Sequence, residues 1–240
     1  FAQCWRPFGQ QRQICSEQIE ITMPDRALRG LPWVVLPLVA ADLPLVVWCR
    51  SERLPPMEEF AAIAGLAHKV VVDSQPMGSD ALRIVSGLMR RGTLTADLSW
   101  TRLTRWREML AQVFENRENL ARLDGIREVS VHFAGQGETA NWYMGAWILD
   151  AVGKAGVRPH LGVGDGAAAP VVLEGAGLRL EISRDGDRMV TSVNGLQHCT
   201  SLAQPTDYLL MEEELGILRR DPVFERTLAS ALQLAYASDR

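Results

Sequence analysis

Lysine is almost missing from this chain of 240 residues: of its 25 basic residues only Lys69 and Lys154 are lysines, and the other 23 are arginines. Two readings of that bias stay open, the base composition of the genome and the suitability of the planar, weakly hydrated guanidinium for interface ion pairs. Cysteine is scarce as well. Cys4, Cys15, Cys49 and Cys199 lie 11, 34 and 150 residues apart, with no Cys-x-x-Cys and no neighbouring histidine pair. That spacing argues against a zinc site and against a disulfide scaffold, so a reducing cytoplasm is the expected compartment. An excess of charge is absent too: 25 basic residues face 29 acidic ones, which gives no overall pull toward nucleic acid or an acidic membrane. A nucleophile elbow of the form Gly-x-Ser-x-Gly is missing, and none of the four histidines has a catalytic spacing, so no catalytic residue, metal or cofactor is assigned. Nor is there an unbroken apolar run of membrane length. Leu31–Cys49 comes nearest, but Pro32, Pro37, Asp42 and Pro44 interrupt it, so it reads as a buried helix, a turn and a buried strand.

What is present is ordinary for a globular protein, 47% hydrophobic and 22% charged residues, which excludes disorder and fibrous architectures. At about 150 residues per domain the length allows one large domain or two small ones. The chain begins at Phe1 rather than a methionine, and the expectation is that sequence upstream has been lost.

Hydropathy patterning supplies the fold class. Ile14–Thr22 alternates toward its end and predicts a strand; Arg29–Ala41 predicts a helix able to hold Pro32 in its first turn; the apolar run from Leu43 to Cys49 predicts a strand buried on both faces. Helix from Met57, strand at His68–Ser74 and helix from Asp80 to Gly92 follow in alternation, the signature of βαβ units and a mostly parallel sheet. A helix over Thr104–Glu115, a strand at Ile126–Phe133, a helix at Glu138–Gly153 and a strand at Arg158–Gly164 continue the pattern. The character then changes: residues 178–195 alternate around Asp185-Gly186, a signal for a type I′ hairpin, and Asn194-Gly195 marks a further turn before a third strand at Gln197–Leu202. Pro205 and Asp221-Pro222 open two terminal helices, the second with Phe224, Leu228 and Leu232 four residues apart. The prediction is an α/β protein: an N-terminal α/β domain over residues 1–100 with a mostly parallel sheet, and a C-terminal α/β domain over 101–240 with a mixed sheet, an antiparallel hairpin and a helical end.

Candidate chemistry is thin. The acidic trio Glu212, Glu213 and Glu214 could suggest paired carboxylates, but it reads as a helix start, where the macrodipole favours negative charge. Gly135, Gly137 and Ala140 fit Gly-x-Gly-x-x-Ala between a strand and a helix, a possible phosphate- or dinucleotide-binding turn. The companion acid is unclear, and a tight turn needs the glycines anyway. Cys15 and Cys199 are candidate redox thiols. The most informative segment is Asp97–Phe114, in which Leu103, Trp106, Leu110, Val113 and Phe114 make an apolar stripe. Arg102, Arg105 and Arg107 crowd what the pattern makes the first turn of its helix, against the dipole, beside Trp100 and Trp106. A broken local rule of this composition marks a partner-binding or anion-binding cluster, with internal salt bridges as the other reading.

At this segment the sequence resembles the glucose-6-phosphate dehydrogenase assembly protein family of bacteria, also called OpcA. The motifs that carry the resemblance are ICSEQIEI around Cys15, LPLVAADLPLVVWC from Leu36, HKVVVDS ending at Ser74 and, most distinctively, DLSWTRLTRWREMLAQVF. The match spans most of the chain and is looser in the C-terminal half. The resemblance implies a non-catalytic, cytoplasmic protein that binds glucose-6-phosphate dehydrogenase and promotes its assembly or activity in the oxidative pentose phosphate pathway, without nucleic acid, membrane or cofactor. It also implies that Trp100, Arg102, Arg105, Trp106 and Arg107 dock on the dehydrogenase or brace the two α/β domains that do. Cys15 stands where a family cysteine linked to redox control often appears, and the family's lead-in strand is expected to be missing before Phe1. The rival expectation is an enzyme or sensor binding a sugar phosphate or dinucleotide at Gly135–Ala140.

Overall fold

A computed structural model describes residues 2–5, 14–39, 43–135, 137–164 and 169–238. Strand β1 (Ala2–Trp5) pairs antiparallel with β2 (Ile14–Glu17) as a separate ribbon. The expected strand to Thr22 ends instead at Glu17, which pairs with Ala2 of β1. The expected helix over Arg29–Ala41 is broken instead into a 3-10 turn at Asp25–Gly30, a short α1 (Leu31–Val35) and a second 3-10 turn at Leu36–Leu38. Pro32 and Pro37 each fall at the start of one of these pieces, where their missing N–H costs nothing.

The parallel unit follows as predicted. Strand β3 (Val46–Cys49), helix α2 (Glu58–Ala64), strand β4 (Lys69–Val72), helix α3 (Ala81–Arg90) and strand β5 (Leu94–Asp97) alternate, and the sheet order is β3-β4-β5. Gly92, at φ +84°, takes the left-handed conformation just past the end of α3. Every residue of β4 is buried because both faces of the sheet are covered. Val70 and Val72 join Leu82, Val85 and Leu88 of α3 in the main core, while Val71 packs in a smaller cluster with Leu98, Leu210 and Met211 on the other face.

Past β5 the chain runs through α4 (Leu98–Arg102), α5 (Thr104–Val113), α6 (Arg117–Leu120) and a 3-10 turn at Leu123–Gly125 into β6 (Ile126–Val131). Then come α7 (Gly137–Gly153), β7 (His160–Val163), β8 (Val171–Gly175), β9 (Leu178–Asp185), β10 (Arg188–Val193) and β11 (Leu196–Ser201). The sheet is six-stranded and mixed, ordered β11-β10-β9-β8-β6-β7, with β6 and β7 parallel and the rest antiparallel. Helices α8 (Asp207–Leu215) and α9 (Pro222–Ser238) complete the chain. Among the described residues no helix is long and apolar enough to cross a membrane.

The hairpin turns differ from expectation in register and type. Asp185 pairs with Arg188, so the turn residues are Gly186 and Asp187. Gly186 has φ +55° and Asp187 no positive φ, the φ pattern of type II′ rather than I′. The I′ pattern lies at the next turn, where Asn194 (φ +50°) and Gly195 (φ +85°) are both left-handed. One main core runs through both sheets: Val70, Leu88, Trp100, Val129, Leu180 and Phe224 all belong to it. The apolar, mostly buried α7 lies between them, packed on α9 and on β6 and β7.

Candidate functional site

Most of the segment Asp97–Phe114 faces the interior, with Arg105, Glu108, Ala111 and Gln112 exposed. Trp100 is 5% exposed and Trp106 4%, so both indoles pack into the core. The broken rule at the helix start also dissolves in part. The chain turns at Leu103, so Arg102 occupies the last turn of α4, where the dipole favours a cation, and only Arg105 and Arg107 stand at the start of α5.

Asp97 is the origin of the arrangement. It ends β5 and caps α4, its Oδ1 accepting from the backbone N–H of Ser99 and of Ser74, both at 3.0 Å, while Tyr143 Oη of α7 donates to Oδ2 at 2.8 Å. One carboxyl thereby ties the end of β4, the start of α4 and the central helix of the other half. Burial raises its pKa, an effect only partly offset by the hydrogen bonds from Ser74, Tyr143 and Ser99. Burial likewise pushes Tyr143 well above the ordinary tyrosine value, and the nearby Asp97 charge adds to it.

Beside it, Asp73 receives both terminal nitrogens of Arg102, at 2.8 and 2.6 Å, in a fork-to-fork pair. Gln75 N–H and Ser99 Oγ–H also donate to Asp73. Burial pushes this carboxyl up, but the Arg102 hydrogen bonds and charge outweigh burial and hold it below its ordinary value. Arg102 further reaches Asp207 of α8 at 3.6 Å.

Arg107 stacks over Trp100 with Cζ 3.4 Å from the ring centroid, donates to the Trp100 carbonyl at 2.9 Å and to Thr104 Oγ1 at 3.1 Å. Burial lowers its pKa to about 10 against the pull of Asp221 and Glu213. Thr104 in turn donates to Glu213 Oε1 at 2.9 Å. The Trp100 ring lies edge-on to Tyr143 and tilted against Phe224, and its Nε1–H points at Asp221, the cap of α9, at 3.4 Å. Trp106 meets Phe133 edge-on at 4.8 Å. Arg105 alone of the three arginines is exposed, paired with Glu108 at 2.7 Å.

The acidic trio is corrected as well: Glu212–Glu214 close α8 instead of opening it. Glu214 is held there by Lys69, 2% exposed at the start of β4. Its Nζ donates to Glu214 Oε2 at 2.6 Å, to the Glu214 carbonyl at 2.7 Å and to the Ile217 carbonyl at 2.8 Å. Thr101 Oγ1 donates to Glu214 Oε1 at 2.6 Å.

The glycine turn has its own intramolecular neighbour. Gln75 Nε2–H donates to the Gly135 carbonyl at 3.1 Å, and a Cβ on Gly137 would stand 2.8 Å from the Gln75 carbonyl oxygen. Gly135 and Gly137, both at φ +73°, let this turn seat itself against the 3-10 turn Gln75–Asp80 of the first half. Asn141 Oδ1 accepts from Phe133 N–H at 2.7 Å and fixes the turn from the helix side. Cavities of about 20 Å³ between Lys69, Trp100 and Asp221 and of about 130 Å³ between Pro55, Arg83 and Arg91 are lined by no residue of this turn. Both are smaller than the usual small-molecule site. Cys15 lies opposite Cys4 in β2, and its side chain is outside the described part of the structure; Cys199 is exposed on β11.

Sequence reasoning thus found the Trp/Arg segment but not its partners. Asp73, Asp97, Tyr143, Lys69 and Asp221 complete it, and three left a trace: Asp97-x-Ser99 has the form of a helix cap, Asp221-Pro222 opens a helix, and Lys69 is a rare lysine within an apolar run.

Comparison with known proteins places this geometry in context. Residues 2–86 match the family described as the glucose-6-phosphate dehydrogenase subunit N-terminal domain, and residues 93–228 the corresponding C-terminal domain. A protein of Nostoc punctiforme named OxPP cycle protein OpcA is 29% identical over 123 residues, covering 50% of this chain and 26% of that protein. Its namesake in Synechocystis is 27% identical over 143 residues, covering 58% of this chain and 30% of that protein. The aligned part therefore spans under a third of these relatives. Among solved structures, biliverdin reductase of Synechocystis superposes with a TM-score of 0.47 at 11% identity, over 90% of this chain and 83% of that one.

Proposed function

The chain belongs to the OpcA family of glucose-6-phosphate dehydrogenase subunit proteins, and from that membership we propose that it is a cytoplasmic, non-catalytic partner of that dehydrogenase in the oxidative pentose phosphate pathway. The supporting observation is that the two family matches, residues 2–86 and 93–228, together span most of the chain and meet just ahead of β5, whose last residue Asp97 opens the Trp/Arg segment. In this reading Trp100, Arg102, Trp106 and Arg107 act as the brace, holding both halves in one orientation for a partner, and Arg105 is the member of the cluster free to touch it. The division of the chain near residue 100 belongs to the same proposal.

Activation requires that the chain bind the more active state of the enzyme better than the less active one, since equal affinity shifts nothing. A tenfold activation needs about 1.4 kcal/mol of differential affinity. The test adds the purified chain to its cognate dehydrogenase and follows kcat/KM together with co-elution. Raised activity and a shared elution peak are expected; unchanged kinetics without co-elution sink the proposal. A rise in melting temperature with a dinucleotide or sugar phosphate alone, following the free ligand concentration, points instead to a ligand site at Gly135–Ala140.

A further inference from the structure

Strand β11 is the outer strand of the six-stranded sheet, and among the described residues nothing pairs with its far side. Its sequence, Leu-Gln-His-Cys-Thr-Ser, has no charged residue, no proline and no bulge over six residues in register with β10. Those are the devices that ordinarily blunt an edge against another strand. The turn fixes which backbone groups are free. Val193 and Leu196 close a two-residue turn and so form a hydrogen-bonded pair. Pairs alternate along an antiparallel ladder, so Leu196, His198 and Thr200 bond inward to β10. Gln197, Cys199 and Ser201 direct their N–H and C=O groups outward.

We propose that this edge is a self-association surface, on which a second copy of the chain adds its own β11 antiparallel about a two-fold axis through Cys199. Only this two-fold register matches all three outward residues at once: Cys199 meets Cys199 of the second copy, and Gln197 meets Ser201 in both directions. Centring the axis one residue away leaves one outward residue of each strand unmatched. The same register answers a second observation. Leu196, 81% exposed, is the most exposed large hydrophobic among the described residues. It comes opposite Leu202 of the other copy, a residue that already packs partly on the core. An uncharged edge places no like charges across the axis, which suits a copy of itself. The union continues the two sheets as one of twelve strands, and it is an isologous contact that closes at two copies.

The test is sedimentation or light scattering of the whole chain over a rising concentration series, with a short bis-maleimide linking thiols and peptide mapping identifying the linked pair. The expected result is a shift toward twice 26.6 kDa and a Cys199–Cys199 cross-link. Cys199→Pro removes an outward N–H without touching the bonds to β10, and Cys199→Lys sets two cations face to face; both should remain monomeric at concentrations where the unaltered chain pairs, with unchanged circular dichroism. A chain that stays monomeric throughout, or a dimer that survives both substitutions, or one cross-linked elsewhere, overturns the proposal.

Discussion

Lys69 shows why a rare residue type is worth following down to its atoms. Its ammonium meets three oxygens, one carboxylate and two carbonyls, from the end of α8 and the turn beyond it. A compact cation with three rotatable donors fits those acceptors; a flat guanidinium is wider and does not. Lys69→Met is expected to cost about 3–5 kcal/mol in urea unfolding, because Glu214 is left charged and buried. Replacing Glu214 by Gln in the same chain should recover part of that loss, and failure to do so would show that the pair is not coupled. The two aspartates titrate in opposite senses. Asp73 is held low by Arg102 against its burial, so its contribution is present above the ordinary carboxylate value and is lost as pH falls through its folded pKa. Asp97 is raised by burial, so the folded chain keeps its proton more readily and stability drains as pH climbs through the folded value. Asparagine can accept from Ser74 and Ser99 and donate to Tyr143 without a charge. Asp97→Asn should therefore gain stability relative to the unaltered chain as pH rises above the ordinary carboxylate value of about 4, and a denaturation series showing the reverse trend would refute this. At this scale the sequence was least legible: an Asp at a strand end and a Tyr in an apolar helix look unremarkable until folding puts Oη 2.8 Å from Oδ2.

Elements were easier to read where several signals agreed. Asp221 and Pro222 announced α9, and Asp221 Oδ1 does accept from the N–H groups of Val223 and Phe224. Removing it as Asp221→Ala should cost about 1–2 kcal/mol through the lost cap, measurable as a lower midpoint in thermal unfolding, and it also strips Trp100 Nε1 of its acceptor. Some short elements escaped notice. β5, of four residues, and β8, of five, were missed; β3 and β4 are as short but lie in continuous apolar runs, which Thr95 and Asp97 deny to β5. The helix end at Glu212–Glu214 misled for a related reason. Local charge rules favour acids at the beginning of a helix, and the compensating Lys69 lies 145 residues away. The three arginines of the Trp/Arg segment separate the bracing and docking readings. Arg102→Ala and Arg107→Ala should lower the melting temperature, whereas Arg105→Ala, at an exposed site, should shift stability by less than about 0.5 kcal/mol. If Arg102→Ala left the melting temperature unchanged yet abolished dehydrogenase activation, docking would be favoured over bracing.

For the molecule as a whole, the alternation of strand and helix was enough to specify an α/β chain with a parallel first sheet and a mixed second one, because each sheet's pattern is repeated several times. How the halves meet was not written in any such pattern; it depends on side chains brought together from β4, β5, α4, α7 and α9. The core they share predicts a single cooperative unfolding transition rather than two, checked by coincident fluorescence and circular dichroism curves; separate midpoints would contradict it. Cys49, buried in that core with its thiol pushed up to about 11, should label with a thiol reagent only on unfolding, while exposed Cys199 labels at once. The contact at Gly137, where backbone approaches backbone across the junction, carries a consequence for cutting the chain. A protease nick in the exposed helix α6, between the two sheets, would sever the covalent link but leave the interlocked surfaces in place. The fragments should co-migrate under native conditions and part only in denaturant, so the protein could be supplied as two separately expressed pieces that reassemble on mixing.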